Sequence, residues 1–528
     1  MSISNIVLQD EQLKVYDKLM QFIKNDKSNE IILIGYAGTV KTTMITKFLN
    51  DIISNNIITK IVIAAPTHKA VNIVKSKLFD NFEDEYLLQK INIMTIHRLL
   101  NYQSYMDPDG KKYFATSKNT PNWNIYKLIV IDECSMLSDQ IIDDISTILN
   151  KSNSNIKIIY IGDPAQLPPV SQNNSKIFTR NIEKLYLETI LRTSNNNIME
   201  LSNAHRKWIF GDKIKDLPHI DDYICDKINL YSSENNTKEM YKWLDKFINL
   251  TKNTLNNKDE EYNNNIILTW TNKKCNYYNQ YIRQKIFDKK ELNKYEIGEI
   301  LIFNDFHRIS INNEIDDEKI NISFYTSEQI KLISIEQLNY KISEIKIIND
   351  KDLPTLIQKK IQSKIKSINE LLTESLQVFS MNIQKISNIV QNENIQQIFN
   401  ILTIHPISEL KYKNIIDNFE DIIQKLRISC YKILNKIKNM NNMEQSDMQC
   451  KIDKKINQIW KNWQTSVIDI FAQLNYGYAI TVHKSQGSTF KNVFIDVSDI
   501  LNNTNIDEVA KCLYTSITRA SDTLNLLI

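Results

Sequence analysis

The chain has 528 residues, a length that at roughly 150 residues per domain suggests about three or four domains. Its 65 Lys and Arg residues nearly balance its 62 Asp and Glu residues, so the net charge of +3 shows no protein-wide basic field, although a local basic channel stays open. Hydrophobic residues make up 42% of the chain, which excludes global disorder, and no apolar run is long enough to cross a membrane.

Cysteine and glycine usage add two indications. The six cysteines form no CxxC pair, which argues against a structural zinc site and against a secreted disulfide framework. Because no signal peptide pattern is present either, we expect a soluble intracellular protein with no membrane association. Only 8 glycines occur, and Ile, Asn and Lys are used heavily, which is typical of an AT-rich genome such as that of a virus or protist. Glycines kept under this bias are expected where the backbone requires them.

The first part of the chain alternates strand and helix patterns. Helix spacing covers residues 9–25 and 42–53, and short apolar runs predict strands at 31–34, 61–65, 128–131 and 158–161. The runs end at Gly35, Pro66, Asp132 and Gly162. This alternation predicts an α/β domain with a parallel sheet. Binding residues are then expected beyond the carboxyl ends of the strands.

A second α/β set is predicted after a long interruption. Its strand candidates lie at 266–268, 478–481, 493–497 and 524–528. Between its halves, residues from about 310 to 465 contain almost no Gly or Pro. Apolar residues spaced three and four apart predict amphipathic helices over 357–372 and 419–437. We interpret this stretch as a helical insertion that packs on itself, with a nucleic-acid-contacting arm as the alternative.

The first candidate site is a phosphate-binding loop between a predicted strand and a predicted helix. It reads Gly35-Tyr36-Ala37-Gly38-Thr39-Val40-Lys41-Thr42-Thr43. Small residues let backbone N–H groups surround a phosphate, while Lys41 would reach the β- and γ-phosphates and Thr42 would hold Mg²⁺. Val40 stands where a glycine is expected, and a β-branched residue costs about 1–2 kcal/mol or more if that turn has a positive φ. An ordinary strand–turn–helix is the alternative.

Two further candidate sites follow later strands. Asp132 and Glu133 end a very apolar strand, where an Asp would hold Mg²⁺ and the next Glu would polarise the attacking water. A simple helix cap is the alternative for this pair. The segment from Gly162 to Pro169 holds three of the nine prolines. It predicts a rigid loop from which Gln166 would reach a γ-phosphate.

Together these segments resemble superfamily 1 DNA helicases of the 5′→3′ group, similar to the phage Dda, RecD and Pif families. Residues 8–12 resemble the Q motif, in which Gln12 would read adenine. Leu191-Arg192 resembles motif IV, residues 482–488 with Gly487 resemble motif V, and residues 514–520 resemble motif VI. The resemblance implies that Arg192 and Arg519 contact the γ-phosphate. All of these motifs occur in the family's order.

The same resemblance implies a single-strand-binding surface. Residues 66–70 resemble motif Ia and residues 95–100 resemble the next strand-contacting motif. The implied contact residues are Pro66, Thr67, His68, Thr95, His97, His483 and Lys484. A hairpin is predicted over about 101–118, since Pro108-Asp109-Gly110 is a strong turn signal flanked by aromatic residues. In the family a pin occupies this place, so Tyr105, Tyr113 or Phe114 would stack at a fork; an ordinary surface hairpin is the alternative.

The implied architecture is two RecA-like parallel-sheet domains with ATP and Mg²⁺ between them. The expected divisions are a first domain over 1–190, the start of the second over 191–305, an SH3-like subdomain with a helical insertion over 306–470, and the rest of the second domain over 471–528. The implied function is a monomeric, ATP-dependent helicase of a large DNA virus. It would translocate 5′→3′ on single-stranded DNA, unwind forked DNA in replication, recombination or repair, and work beside a single-strand-binding or replication protein. The alternatives are a strand-binding protein whose ATPase is impaired by Val40, and an RNA helicase.

Overall fold

The computed structural model describes most of the chain. The described ranges are 8–25, 28–36, 41–58, 60–81, 90–106, 112–116, 121, 123–151, 156–169, 172, 174–188, 196–211, 220–232, 237–256, 265–312, 319–346, 353–386, 398–437 and 442–528. Within these ranges, no helix combines the length and the apolar character that a membrane crossing requires.

The first domain is built around a six-stranded parallel sheet with strand order β3-β2-β6-β7-β1-β8. The strands up to this point are β1 (Glu30–Gly35), β2 (Ile61–Ala65), β3 (Ile91–Thr95), β4 (Tyr102–Met106), β5 (Lys112–Thr116), β6 (Leu128–Ile131), β7 (Lys157–Gly162) and β8 (Glu183–Leu187). The helices are α1 (Asp10–Lys24), α2 (Lys41–Ser54), α3 (His68–Asn81), α4 (Ile96–Leu99) and α5 (Asp139–Lys151). Strands β4 and β5 form a separate antiparallel hairpin.

The central strands are buried because helices cover both faces of the sheet. Ile31 and Leu33 of β1 pack in one hydrophobic cluster with α1, α2 and α3, whereas Ile32 and Ile34 pack in another with α5. Successive side chains of a strand point to opposite faces, so a strand buried on both faces is apolar throughout. This explains why continuous apolar runs marked β1, β2, β6 and β7 in the sequence.

The second domain holds a five-stranded parallel sheet with strand order β18-β10-β19-β20-β9. Its strands are β9 (Ile228–Tyr231), β10 (Asn265–Thr269), β18 (Ala479–Thr481), β19 (Phe490–Asp496) and β20 (Ala520–Leu527). Its helices are α6 (Asn196–Phe210), α7 (Thr237–Asn256), α8 (Asn272–Phe287), α12 (Val482–Ser485), α13 (Val497–Leu501) and α14 (Ile506–Ile517). The two parallel sheets confirm the predicted fold class.

An insertion of antiparallel strands and helices separates the halves of the second domain. Its strands are β11 (Ile300–Phe303), β12 (His307–Asn312), β13 (Lys319–Phe324), β14 (Gln329–Tyr340), β15 (Leu376–Lys385), β16 (Ile398–Ile404) and β17 (Leu474–Tyr476). Its helices are α9 (Thr355–Leu371), α10 (Pro406–Leu434) and α11 (Asn442–Trp463). Strands in the order β16-β15-β14-β11-β17 form one sheet, and β12 pairs with β13.

The insertion contains more sheet than its helix periodicity suggested. The predicted helices over 357–372 and 419–437 correspond to α9 and α10, which pack with α11 in one hydrophobic cluster. In that cluster the rings of Phe419 and Trp463 stack with their centroids 3.8 Å apart. The long strands β15 and β16 were not predicted, although buried and more exposed positions largely alternate along both of them.

Candidate nucleotide site and strand-binding surface

The carboxyl edge of the first sheet brings the candidate residues together. Gly35 ends β1 and Thr95 ends β3, while Pro66, Asp132 and Asp163 directly follow β2, β6 and β7. All six strands run parallel, so these positions lie along one edge. The edge is therefore where a ligand would meet several motifs at once.

The described part of the phosphate loop is its strand end and its helix start. The Lys41 ammonium donates hydrogen bonds to the carbonyl oxygens of Gly35 at 2.8 Å and Tyr36 at 2.9 Å. Helix α2 has no acidic residue in its first turn, so its N-terminus favours an anion. The predicted loop residues Gly38, Thr39 and Val40 lie outside the described residues. Thr42 and Thr43 begin α2, and the structure describes only the backbone of Thr42.

The candidate acidic pair lies in a tight, unusual turn. The Asp132 carboxylate accepts a hydrogen bond from the backbone N–H of Glu133 at 2.9 Å. Glu133 adopts the left-handed conformation, with φ 52° and ψ 42°, which is uncommon for a residue with a side chain and is often associated with functional sites. Gly162 supports this turn, since a Cβ there would lie 2.6 Å from the Cys134 sulfur.

Lys41 and the acidic pair influence the same buried thiol, that of Cys134. Burial raises the pKa of the Cys134 thiol well above its usual value, and the charges of Asp132 and Glu133 raise it further. The Lys41 ammonium acts in the opposite direction on the same thiol. The charges of the phosphate-loop lysine and of both carboxylates therefore all act on the pKa of this one buried thiol.

The oxygen donors predicted here suit Mg²⁺. Mg²⁺ in nucleotide enzymes is usually held by one or two protein oxygens together with substrate phosphates, and Thr42 with Asp132 would supply such a set. In the part of the chain that the structure describes, no group of three or more His, Cys, Asp or Glu residues is placed to hold a metal by itself. A Mg²⁺ ion held by Thr42 and Asp132 would take its other ligands from phosphate and water.

The loop after β7 joins the first domain to the second. Ala165 and Leu167 are fully buried, each in a cluster with second-domain residues. The Gln486 side chain donates to the Leu167 carbonyl at 3.0 Å. Gln166, the predicted γ-phosphate sensor, is buried within this loop. The loop after β7 thus packs against the domain that carries motifs V and VI.

The two predicted arginine fingers differ in what the structure describes. Arg192 lies outside the described residues. Arg519 is 4% exposed and donates to the carbonyl oxygens of Thr515 at 3.0 Å and Ser488 at 3.1 Å. It therefore links motif VI to motif V in this structure.

Gln12 and Gly487 have local structural roles. The Gln12 side-chain oxygen accepts the backbone N–H of Gln9 at 3.1 Å, which stabilises the start of α1. Gln12 is also buried. Gly487 has φ +74°, a conformation that favours glycine. Contact of either residue with nucleotide remains a prediction.

The motif Ia segment meets both motif V and the insertion. Thr67 caps α3, because its hydroxyl accepts the backbone N–H of Ala70 at 3.1 Å. The Lys69 ammonium donates to the Ser488 hydroxyl, and burial lowers the pKa of Lys69 to about 8. His68 stacks on Phe306 of the insertion, with ring centroids 4.3 Å apart and an interplanar angle of 22°.

The sequence did not mark an aromatic cluster around His68. Its members are His68, Phe306 and Tyr325; Tyr325 lies 6.1 Å from His68 and 5.9 Å from Phe306. The Arg308 guanidinium lies 5.4 Å from the Phe306 ring. Aromatic rings beside an arginine are the usual elements of a single-strand-binding surface. The signal available in the sequence was an aromatic residue shortly after each of the apolar segments that form β11 and β13.

The other predicted strand contacts occupy the carboxyl edges of both sheets. The Thr95 hydroxyl caps α4 by accepting the Arg98 backbone N–H at 3.3 Å, and the His97 ring packs edge-on against Tyr102 at 5.4 Å. The Lys484 ammonium donates to the Asn304 side chain at 3.2 Å. Burial lowers the pKa of His97, so this imidazole is neutral at pH 7 and suited to stacking.

A second residue that the sequence left unmarked, Trp270, lies beside His483. It follows β10, and its indole N–H donates to the Glu508 carboxylate at 3.2 Å. The His483 Nε2 lies 3.9 Å from the same Glu508 oxygen. Burial lowers the pKa of His483, although Glu508 acts to raise it. The signal in the sequence that could have identified Trp270 is its position directly after the buried strand β10.

The predicted pin is an antiparallel hairpin, as expected. Strands β4 and β5 pair with Tyr105 opposite Tyr113 and Ser104 opposite Phe114. The Pro108-Asp109-Gly110 turn falls outside the described residues, so the hairpin's stacking role stays a prediction.

Two family models match the chain, one within each of the two parallel-sheet domains. Residues 21–172 match the model of the AAA domain family, and residues 476–527 match the UvrD-like helicase C-terminal domain. An uncharacterized protein of Acanthamoeba polyphaga mimivirus is 33% identical over 97% of this chain and 98% of its own length. The RecBCD enzyme subunit RecD of Buchnera aphidicola subsp. Schizaphis graminum is 28% identical over 94% of this chain and 70% of its own length.

A third relative is the ATP-dependent DNA helicase dda of Enterobacteria phage T4, which is 24% identical over 62% of this chain and 68% of its own length. The mimivirus relative agrees with the viral origin expected from the AT-rich composition. The order of the motifs, the two parallel sheets and these relatives lead to one assignment. The chain belongs to the superfamily 1 helicases of the 5′→3′ group.

Proposed function

We propose that the protein is an ATP-dependent DNA helicase that translocates 5′→3′ on single-stranded DNA and unwinds forked DNA. The observation that carries this proposal is the meeting of Lys41, the Asp132-Glu133 turn and the β7 loop at one sheet edge. The same loop is buried against the domain that holds Arg519. A nucleotide at this edge would lie where its phosphates influence both domains. The relative named as the ATP-dependent DNA helicase dda supports DNA as the substrate.

Each catalytic residue has a proposed task. Lys41 binds the β- and γ-phosphates, while Thr42 and Asp132 hold Mg²⁺, which neutralises phosphate charge when bound. Glu133 orients and polarises the attacking water. Gln166, Arg192 and Arg519 stabilise charge on the γ-phosphoryl, a contribution that reaches about 10³–10⁵ for arginine fingers in related NTPases. Gly35, Gly38, Thr39, Thr43 and Gly487 shape the nucleotide site, and Gln12 reads the adenine.

The strand-binding residues lie on both domains, as a motor requires. Pro66, Thr67, His68, Thr95 and His97 belong to the first domain. His483 and Lys484 belong to the second. Opening and closing of the cleft would make the two sets grip the strand alternately, while the β4–β5 hairpin splits the fork. Aromatic stacking and backbone contacts of this kind are largely independent of sequence.

The deciding experiment is ATP hydrolysis with and without single-stranded DNA, with Glu133→Gln run beside the parent. We expect strand-stimulated hydrolysis in the parent and at least about a 100-fold loss in Glu133→Gln, because the water is no longer polarised. Nucleotide binding should remain in that variant. Glu183→Gln, which changes an exposed glutamate on β8, is the matched control and should hydrolyse ATP normally. Equal hydrolysis by Glu133→Gln and the parent would contradict the proposed role.

Val40 supports one alternative, a helicase fold that binds strands without turning over ATP. Hydrolysis absent from the parent but present in Val40→Gly would establish that alternative. Strand binding that weakens with salt but does not change when ATP is added would agree with this alternative.

RNA unwinding is the other alternative. Matched DNA and RNA strands should be compared by competition, because contacts to the 2′-hydroxyl decide that preference. Tighter binding and stronger ATPase stimulation by RNA would replace DNA as the proposed substrate.

A further inference from the structure

A buried ion pair joins the end of β7 to the second domain. Its arginine, Arg206, lies in none of the helicase motifs. The Arg206 guanidinium on α6 donates to the Asp163 carboxylate, and both side chains are almost completely buried. The Tyr514 hydroxyl on α14 donates to the other Asp163 oxygen at 2.7 Å. One first-domain carboxylate is thus held by two helices of the second domain.

The same arginine also contacts the phosphate-loop segment. Its guanidinium carbon lies 3.8 Å from the centroid of the Tyr36 ring. The Tyr36 carbonyl accepts a hydrogen bond from Lys41 at 2.9 Å. A continuous set of contacts therefore runs from the phosphate-loop lysine through Tyr36 and Arg206 to Asp163 and Tyr514.

Adjacent residues of the chain are anchored to different domains at this point. Gly162 is packed against the turn that carries Glu133, where a Cβ would meet the Cys134 sulfur at 2.6 Å and the Ser135 nitrogen at 3.1 Å. Asp163, the next residue, is held by Arg206 and Tyr514. Any relative movement of the two domains has to be accommodated at or beside this peptide.

Arginine suits this position better than lysine would. Its planar guanidinium can pair with a carboxylate and stack on an aromatic ring at the same time, whereas a lysine ammonium is a point charge. Replacing Arg206 by lysine therefore keeps the buried charge opposite Asp163 but removes the planar contact with Tyr36.

We infer that Arg206 is a positioning residue that couples nucleotide binding at the phosphate loop to strand binding by the second domain. The inference rests on the proposed nucleotide and strand sites. Coupling is reciprocal, so nucleotide changes strand affinity by the same factor as strand changes nucleotide affinity. That factor is the quantity Arg206 should control, while each ligand's separate affinity depends on other residues.

The test measures binding of a fluorescein-labelled oligothymidine strand of about 15 nucleotides. Binding is compared with and without a non-hydrolysable ATP analogue that carries a β,γ-imido bridge. In the parent, the analogue should change the strand Kd by at least about fivefold. In Arg206→Lys the change should fall below about twofold. Its strand Kd without nucleotide and its analogue Kd without strand should stay near the parent values. Tyr514→Phe and Tyr36→Leu should also reduce the effect of the analogue on the strand Kd, but by less than Arg206→Lys does.

The chain offers a matched control for loss of a buried arginine. Arg283 pairs with the Glu299 carboxylate and stacks on Tyr476, with its guanidinium carbon 3.9 Å from the ring centroid. Its hydrogen bonds go to Gln280, Asn293, Lys294 and Glu299. Arg283→Lys should lower the melting temperature about as much as Arg206→Lys while keeping the parental coupling. If Arg206→Lys also keeps the parental coupling, or if the parent shows none, the inference is wrong. Coupling without hydrolysis in the parent would contradict only the proposed motor function.

Discussion

At the scale of single residues, the candidate catalytic turn combines a strained backbone with close packing. Glu133 has φ 52°, and its neighbour Cys134 leaves no room for a side chain at position 162. A non-glycine residue in the left-handed region costs of order 1 kcal/mol and persists when its surroundings hold it. The resulting turn lets the backbone N–H of Glu133 donate to the Asp132 carboxylate.

Val40 leads to the clearest prediction about one residue. If the loop needs a positive φ there, Val40→Gly removes about 1–2 kcal/mol of strain, so kcat/KM for ATP should rise by about tenfold. Steady-state hydrolysis at several ATP concentrations measures this value. Val40→Ala is the matched control, because it removes the β-branch but keeps a Cβ, and it should recover only part of the gain. An unchanged or lower kcat/KM in Val40→Gly would exclude strain at this position.

At the scale of elements, the insertion contacts the motif Ia segment, which belongs to the proposed strand-binding surface. The turn between β11 and β12 carries Phe306, and the residue after β13 is Tyr325. Both lie beside His68 of α3. The insertion is therefore more than a helical bundle attached to the second domain, since its sheet extends the surface that begins at motif Ia.

Removing one ring of this cluster should weaken strand binding. A stacked base is worth about 1–3 kcal/mol by alanine substitution, so Phe306→Ala should raise the Kd for single-stranded DNA by at least about fivefold. Tyr325→Ala should act in the same direction. Tyr186→Ala changes a half-exposed tyrosine on β8 and should bind normally in the same anisotropy titration. Parental affinity in Phe306→Ala would remove this cluster from the binding surface.

At the scale of the whole molecule, stability should depend on a histidine in the second domain. His205 of α6 is fully buried, its Nδ1 lies 2.9 Å from the Leu201 carbonyl oxygen, and its Nε2 has no hydrogen-bond partner among the described residues. Burial lowers its pKa to about 4. Protonation would place a charged N–H in the packed interface between α6 and α14 without an acceptor.

The direction of the resulting pH dependence follows from that pKa. The unfolded chain binds the proton below pH about 6.5 and the folded chain only near pH 4, so stability is complete above pH 6.5. It should fall by up to about 3 kcal/mol as the pH drops to 4. Urea midpoints should therefore decrease more steeply between pH 6.5 and 4.5 in the parent than in His205→Leu. Parallel curves for the two proteins would mean that another group controls acid stability.

The sequence by itself determined the family, the two parallel sheets and most catalytic candidates. These features are local: apolar runs mark buried strands, and a phosphate loop or an acidic pair needs only neighbouring residues at the end of a strand. The sequence alone therefore placed Lys41 and Asp132 beyond the carboxyl ends of their strands, at one edge of the sheet. The order of the motifs then identified the group of helicases.

Only the tertiary structure decided which distant residues meet. Arg206 reaches Asp163 across 43 positions and Tyr514 reaches it across 351, while Phe306 and Tyr325 meet His68 across the insertion. Such contacts leave no periodic pattern and no motif, because each residue is ordinary within its own segment. The physical cause is that packing between distant elements depends on three-dimensional proximity, which local sequence does not encode.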